Sequence, residues 1–226
     1  MEKYLKRLYS RYLNRKGAVK FRGVIGHLIL VSGTTASGET TFLDNPQIRL
    51  DVKDLPPELS QLFELAKSRT DPWAADRRRE SRIETILMGV DISSPLRGFT
   101  GEELTREKVF AKINPNLFHA GLDNLMSRAE RLDIIHMSVR REENLRRRMN
   151  RMMLVGEPEC VSPSVLFCLT DATDDSALHR ALNRKWIAFC EGYDASCIHV
   201  LEANGSRYSF ISREAYVNEL EQGYRK

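Results

Sequence analysis

The sequence predicts a three-layer α/β sandwich built on a mainly parallel, five-stranded sheet. Three observations carry that expectation. Short apolar runs rich in branched residues recur along the chain, with amphipathic helical patterns between them. The first run ends in a glycine followed by small residues, and the second ends in an aspartate. Strands alternating with helices call for crossover connections, which give a parallel sheet with helices on both faces.

In chain order, Leu5, Leu8, Tyr9 and Tyr12 recur at helical spacing with Lys and Arg between them. They predict a basic amphipathic helix from Glu2 to Arg15, with Gly17 as its exit. This segment, 1–22, is set apart from an α/β domain over 23–226. Its basic face is open to two readings, a solvated surface or contact with an anionic membrane surface or a protein partner. The strands expected are His27–Ser32, Ile83–Val90, Leu132–Val139, Ser164–Thr170 and Cys197–Leu201. Helical patterns cover Pro57–Lys67, Asn116–Arg131, Arg141–Met153, Ser176–Glu191 and the segment from Ser212 onward.

Composition narrows the function classes. The 226 residues are 42% hydrophobic and 29% charged, as in ordinary soluble domains, and no uncharged run is long enough for a membrane span. The four cysteines, Cys160, Cys168, Cys190 and Cys197, have no C-x-x-C spacing, so reduced thiols and a cytoplasmic location are expected. The net charge is only +4, but basic residues cluster in the N-terminal segment, in 76–82 and in 139–151. Such clusters attract phosphorylated ligands, whereas a nucleic-acid partner is not expected without a recognition motif. The five histidines, His27, His119, His136, His179 and His199, lack metal-ligand spacing and are expected to be structural or exposed.

Chemistry concentrates in "LILVSGTTASGETTF", Leu28–Phe42. A phosphate-binding loop reads G-x-x-x-x-G-K-[ST]. Gly33, Gly38 and Thr40 meet it, and Glu39 stands where the lysine belongs. In such a loop the first glycine makes the tight exit from the strand, small residues let backbone N–H groups face phosphate oxygens, and the last glycine opens a helix.

On these residues the chain resembles the P-loop nucleoside-triphosphate hydrolase superfamily, most closely its small-molecule kinases. The resemblance implies that Gly33, Thr34, Thr35, Ala36, Ser37, Gly38, Glu39, Thr40 and Thr41 line a nucleotide site. It implies ATP and Mg²⁺ as cofactors, with Thr40 as metal ligand, and an unidentified small-molecule acceptor as partner. Asp91, at the carboxyl end of a strand, would serve the acceptor hydroxyl or the Mg²⁺ shell, and Arg140, Arg141, Arg147 and Arg151 would stabilise the transferring group. Each has a plainer reading beside it: Asp91 as a turn aspartate near Ser93 and Ser94, and the arginines as an exposed helix with Glu143–Arg147 pairing at i, i+4. Arg97 and Asp171 are weaker candidates.

Glu39 reverses a charge beside a polyphosphate. One close pair of unit charges is worth about 4 kcal/mol at an effective dielectric near 20, and reversal doubles the change. Three readings follow: a kinase fold with impaired turnover, a loop that binds a different ligand with an arginine of the third basic cluster in place of the lysine, or a loop that is only structural, with Glu39 solvated or paired with an arginine. The non-enzymatic alternative is a degenerate P-loop domain acting as a binding module. A similar loop, G-x-x-x-S-G-T-T, occurs in sulfotransferases that use a phosphorylated adenosine sulfate donor. Gly33, Ser37, Gly38, Thr40 and Thr41 nearly fit it, with Glu39 as an extra residue, while Ser138 and Arg140 stand in reverse order. Pro46 biases Asn45 away from the helical region, so the helix after the loop is expected to be short or interrupted.

Overall fold

A computed structural model describes residues 22–34, 37–45, 57, 81–92, 122–140, 143–144, 146–147, 150, 174–204 and 207–222. Its elements are β1 (Val24–Gly33), α1 (Glu39–Asp44), β2 (Arg82–Asp91), α2 (Leu122–Met126), β3 (Ala129–Val139), α3 (Asp174–Glu191), β4 (Ile198–Asn204), β5 (Arg207–Ile211) and α4 (Arg213–Gln222). The five strands form one sheet in the order β2-β1-β3-β4-β5. The first four are parallel and β5 returns antiparallel to β4. The α/β class and the mostly parallel sheet therefore match the sequence expectation.

Strand β1 is the middle of this arrangement. It is hydrogen-bonded to β2 on one edge and β3 on the other, and its residues from His27 to Gly33 are buried. A strand covered on both faces reads as a continuous apolar run, which is why "LILV" lacks alternation. Leu28 and Leu30 point to one face, where they meet α2, Trp186 and Ile187 of α3, and Tyr216 and Leu220 of α4. Ile29 and Val31 point to the other, where Phe42 and Leu43 of α1 and Tyr208 of β5 cover them. Each of these large side chains, once fully buried, contributes about 1.5–3 kcal/mol.

Four elements differ from expectation. Residues 129–131 were expected to end a helix, but they open β3, because Ile25 pairs with Ala129 and His27 with Arg131. Pairing along β1 overrides local helix propensity there. The helix itself is confined to Leu122–Met126 among the described residues. The fifth strand of the sheet is Arg207–Ile211, whereas the expected strand Ser164–Thr170 lies outside the described residues, as do the helix 2–15 and all but Pro57 of Pro57–Lys67. Cys197 belongs to a 3-10 turn, Ala195–Cys197, whose entry Asp194 caps by accepting from Ser196 N. Cys190 and Cys197 are buried free thiols, as expected for small apolar side chains. Among the described residues no helix is long and apolar enough to cross a membrane.

Two groups of buried polar side chains lie on the sheet. Near the carboxyl end of β1, Ser32 Oγ accepts from Trp186 Nε1 at 2.8 Å and lies 3.1 Å from His136 Nδ1. His136 Nε2 lies 3.0 Å from the Tyr216 hydroxyl. Ser32 and His136 face each other in the β1–β3 register, so one buried chain of hydrogen bonds joins two strands and two helices. Toward the amino ends of the strands, Asp133 receives His27 Nε2 at 2.6 Å, His199 Nε2 at 2.9 Å and Arg131 Nε at 3.0 Å. Burial alone would raise the Asp133 pKa. The bonds from His199 and His27 and the charge of Arg131 outweigh it and hold the carboxyl well below the usual carboxylate range.

Two outcomes follow. Ser32→Ala removes the acceptor of a buried indole N–H and is expected to cost about 1–3 kcal/mol in denaturant unfolding, with the m-value unchanged. Asp133 has a depressed folded pKa, so its stabilisation is fully present above its unfolded pKa, about 3.9, and is lost as the pH falls through the folded value. The stability gap between the native chain and Asp133→Asn should therefore be full near neutrality and narrow below about pH 4, as read by urea titrations across the acid range.

Candidate functional site

The glycine-rich loop leaves the sheet at the carboxyl end of β1. Gly33 is level with Asp91 on β2 and with Met137 on β3, and its carbonyl accepts from Ile92 N at 2.9 Å. The chain then turns back at once. Ser37 N donates to Thr34 O at 2.9 Å, and a Cβ on Gly33 would stand 2.2 Å from Ser37 Oγ and 3.2 Å from Met137 Cβ. No side chain fits between them, so the first glycine is required by close approach. Ser37 is fully buried, and its Oγ has no hydrogen-bond partner among the described residues.

Gly38 has φ 99°, the left-handed region, and leads into α1. The second glycine is therefore required by backbone conformation. Helix α1 runs for six residues and ends where Asn45 turns extended, at φ −121° and ψ 98°. Pro46 predicted that interruption. Phe42 and Leu43 face inward, Thr40 and Thr41 are exposed on the first turn, and Glu39 beside them is half-buried. Thr34 is buried, while Thr35 and Ala36 lie outside the described residues.

The candidate arginines diverge. Arg147 Nη1 donates to the Ser37 carbonyl at 2.9 Å while its Nε donates to Glu143 Oε1 at 2.8 Å. The i, i+4 pair expected of an exposed helix is thus present, but its arginine also reaches the loop, and its side chain is only 17% exposed. Arg146 and Arg147 together hold the Glu143 carboxyl down to about 2. Arg140 instead pairs with Glu202 on β4 at 3.1 Å, well exposed. Arg141, Arg151, Arg97 and Asp171 lie outside the described residues.

Asp91 ends β2 half-buried and directly across from Gly33, so the acidic strand end and the loop are neighbours at one edge of the sheet. Tyr208 was not among the sequence candidates. Its hydroxyl would lie 3.0 Å from a Cβ on Gly38, and its ring meets Phe42 edge-on at a centroid distance of 5.5 Å. Burial pushes the Tyr208 phenol pKa up, with the Arg147 charge opposing. Among the described residues no group of three or more His, Cys, Asp or Glu side chains could hold a metal ion. Among the described residues, the donors expected for Mg²⁺ are the Thr40 hydroxyl and the Asp91 carboxylate, to which ligand phosphates would add. That donor set suits an ion that keeps waters and binds through one or two carboxylates.

No protein-family model matches the chain, and no curated protein matches it.

The close packing of Gly33 against Ser37 gives a direct test. Gly33→Ala should destabilise the chain by about 1–3 kcal/mol through overpacking. Adding Ser37→Gly should restore part of that loss, and a double-mutant cycle by thermal unfolding reads the coupling.

Proposed function

We propose that the Gly33–Thr41 loop binds the phosphates of a nucleotide in a three-layer, P-loop type domain resembling a small-molecule kinase. One observation carries the reading. Asp91 stands level with Gly33 on the adjacent parallel strand, so a phosphate-loop sequence and an acidic strand end share one edge of the sheet. Ligands in open α/β sheets bind outside the carboxyl ends of the strands.

Charge decides how such a site works. Helix α1 is too short to contribute much dipole, and Glu39 adds negative charge where phosphate would sit. Among the described residues, Arg147 is a cation that reaches the loop, through the Ser37 carbonyl. In this reading Arg147 supplies the charge that a lysine at position 39 would otherwise give. Thr40 would hold Mg²⁺, which would shield the phosphate charge. Asp91 would either join the Mg²⁺ shell or, if the site turns over, take the proton of the acceptor hydroxyl as its oxygen receives the γ-phosphoryl group of ATP and ADP leaves.

A second reading is favoured by the closure of the loop on itself. The Ser37 amide is spent on Thr34 and its side chain fills the space beside Gly33. That suits a non-catalytic binding module, which keeps the loop's shape without turnover.

Calorimetric titration of ATP with Mg²⁺ tests both. Binding is expected in the native chain, and Arg147→Ala should weaken it about 10- to 100-fold, the value of one charge-assisted hydrogen bond. Glu39→Lys should tighten it by at least as much. Binding by all forms without product release would identify the module. Absence of binding by every form, Glu39→Lys included, would refute the nucleotide reading and bring a sulfate donor or a structural loop forward.

A further inference from the structure

Two polar groups from distant parts of the chain converge on Gly38, on the side where it carries no side chain. A Cβ built there would lie 3.0 Å from the Tyr208 hydroxyl and 3.2 Å from Arg147 Nη1. Both are hydrogen-bonding distances, so an oxygen on that side of Gly38 is in reach of both groups. Tyr208 lies on the same face of the sheet as α1, with Phe42 and Leu43 over Ile29 and Val31.

Both groups are held in place by the fold. Glu143 fixes Arg147 at Nε, and the Ser37 carbonyl fixes it at Nη1. Tyr208 is fixed by its pairing with Ala203 on β4 and by its edge-on contact with Phe42. The Tyr208 side chain is buried, yet its hydroxyl has no hydrogen-bond partner among the described residues. A buried tyrosine hydroxyl ordinarily finds one. Burial also raises the phenol pKa, so at neutral pH the group is a neutral donor. A donor without a partner beside a guanidinium calls for an acceptor that both can share, and an anionic oxygen is such an acceptor. The charge of the arginine cluster agrees: Arg146 and Arg147 share the single carboxylate of Glu143, which leaves that group net positive.

We propose that Tyr208 is a binding residue of the glycine loop, its hydroxyl and the Arg147 guanidinium together holding one phosphate oxygen of the nucleotide over Gly38. This assignment rests on the nucleotide reading of the loop and adds to it a residue from β5. Gly38 then answers to two demands. Its φ of 99° suits glycine, and the lack of a side chain lets a ligand oxygen approach the two donors. Glu39 withholds the charge that a lysine would give, so a neutral donor beside Arg147 takes a larger share of the binding.

Tyr208→Phe removes the hydroxyl and keeps the ring against Phe42. The full chain is titrated with ATP and Mg²⁺ by calorimetry, in the native sequence and in Glu39→Lys, each with and without Tyr208→Phe. Tyr208→Phe should weaken binding about tenfold in both, the loss of one charge-assisted contact. Combined with Arg147→Ala, the loss should be smaller than the two separate losses together, because both groups contact the same oxygen. Thermal unfolding without nucleotide separates this from a structural role. A hydroxyl without a partner stabilises nothing, so the Tyr208→Phe midpoint should be unchanged or raised. ATP should also shift one tyrosine Cζ resonance of the native chain, the one missing from the Tyr208→Phe spectrum. If neither background binds ATP, the nucleotide reading falls and this assignment with it. If ATP binds, and Tyr208→Phe binds it as tightly or unfolds at a lower midpoint, the Tyr208 assignment alone is overturned. Fully additive losses would overturn the shared oxygen.

Discussion

The constraint on which the rest of this molecule depends is the position of β1, paired on both edges and covered on both faces. Ser32, near its end, is fully buried, so its side chain is satisfied from within the protein. Ser32 meets that condition through Trp186 and His136, and His136 passes it on to Tyr216. Two helices distant in sequence are thereby tied to the strand from which the glycine loop springs. An unmet group at this depth would cost more than the bond gains, so the network fixes one arrangement of α3 and α4 against the sheet.

That anchoring explains the loop's geometry. Gly33 leaves a rigid strand and must turn within a few residues, and Ser37 packs so closely against it that even a methyl group is excluded. Gly38 then adopts a conformation that other residues rarely take, with Tyr208 and Arg147 pressed against it. The two glycines are equivalent letters in a motif, yet one answers to space and the other to backbone dihedral. Tyr208 and Arg147 arrive from a late strand and from the helical residues around 143–147, so the loop is shaped by parts of the chain far from it.

The two ends of the sheet do different electrostatic work. At the carboxyl edge, Asp91 lies level with Gly33, while Arg147 pairs with Glu143 and reaches the Ser37 carbonyl. At the amino end, Asp133 is held ionised by two imidazoles and a guanidinium, which makes a buried carboxylate a fixed point for its neighbours.

The sequence by itself determined the periodicities and the punctuation. The apolar runs near Leu28, Ile86 and Ile134 marked β1, β2 and β3, the pattern over Ser176–Glu191 marked α3, and Pro46 marked the end of α1, because each signal is local and strong. It also marked the glycine loop and Asp91, and the pairing of Gly33 with Asp91 placed them side by side. It did not separate the start of β3 from the helix before it, since "AER" is helical by propensity and only its pairing with β1 makes it a strand. The hairpin into β5, and with it Tyr208, was missed, although Gly205-Ser206 between Asn204 and its partner Arg207 is a two-residue connection of a recognisable type. Nothing local could have joined Asp133 to His27 and His199, or Ser32 to Trp186, because those contacts span 106, 66 and 154 residues. Nor could it choose Arg147 over Arg140, two arginines of one basic cluster, since that choice depends on which of them the fold turns toward the Ser37 carbonyl. Local chemistry sets the elements, whereas the meeting of charges distant in sequence is a property of the packed sheet alone.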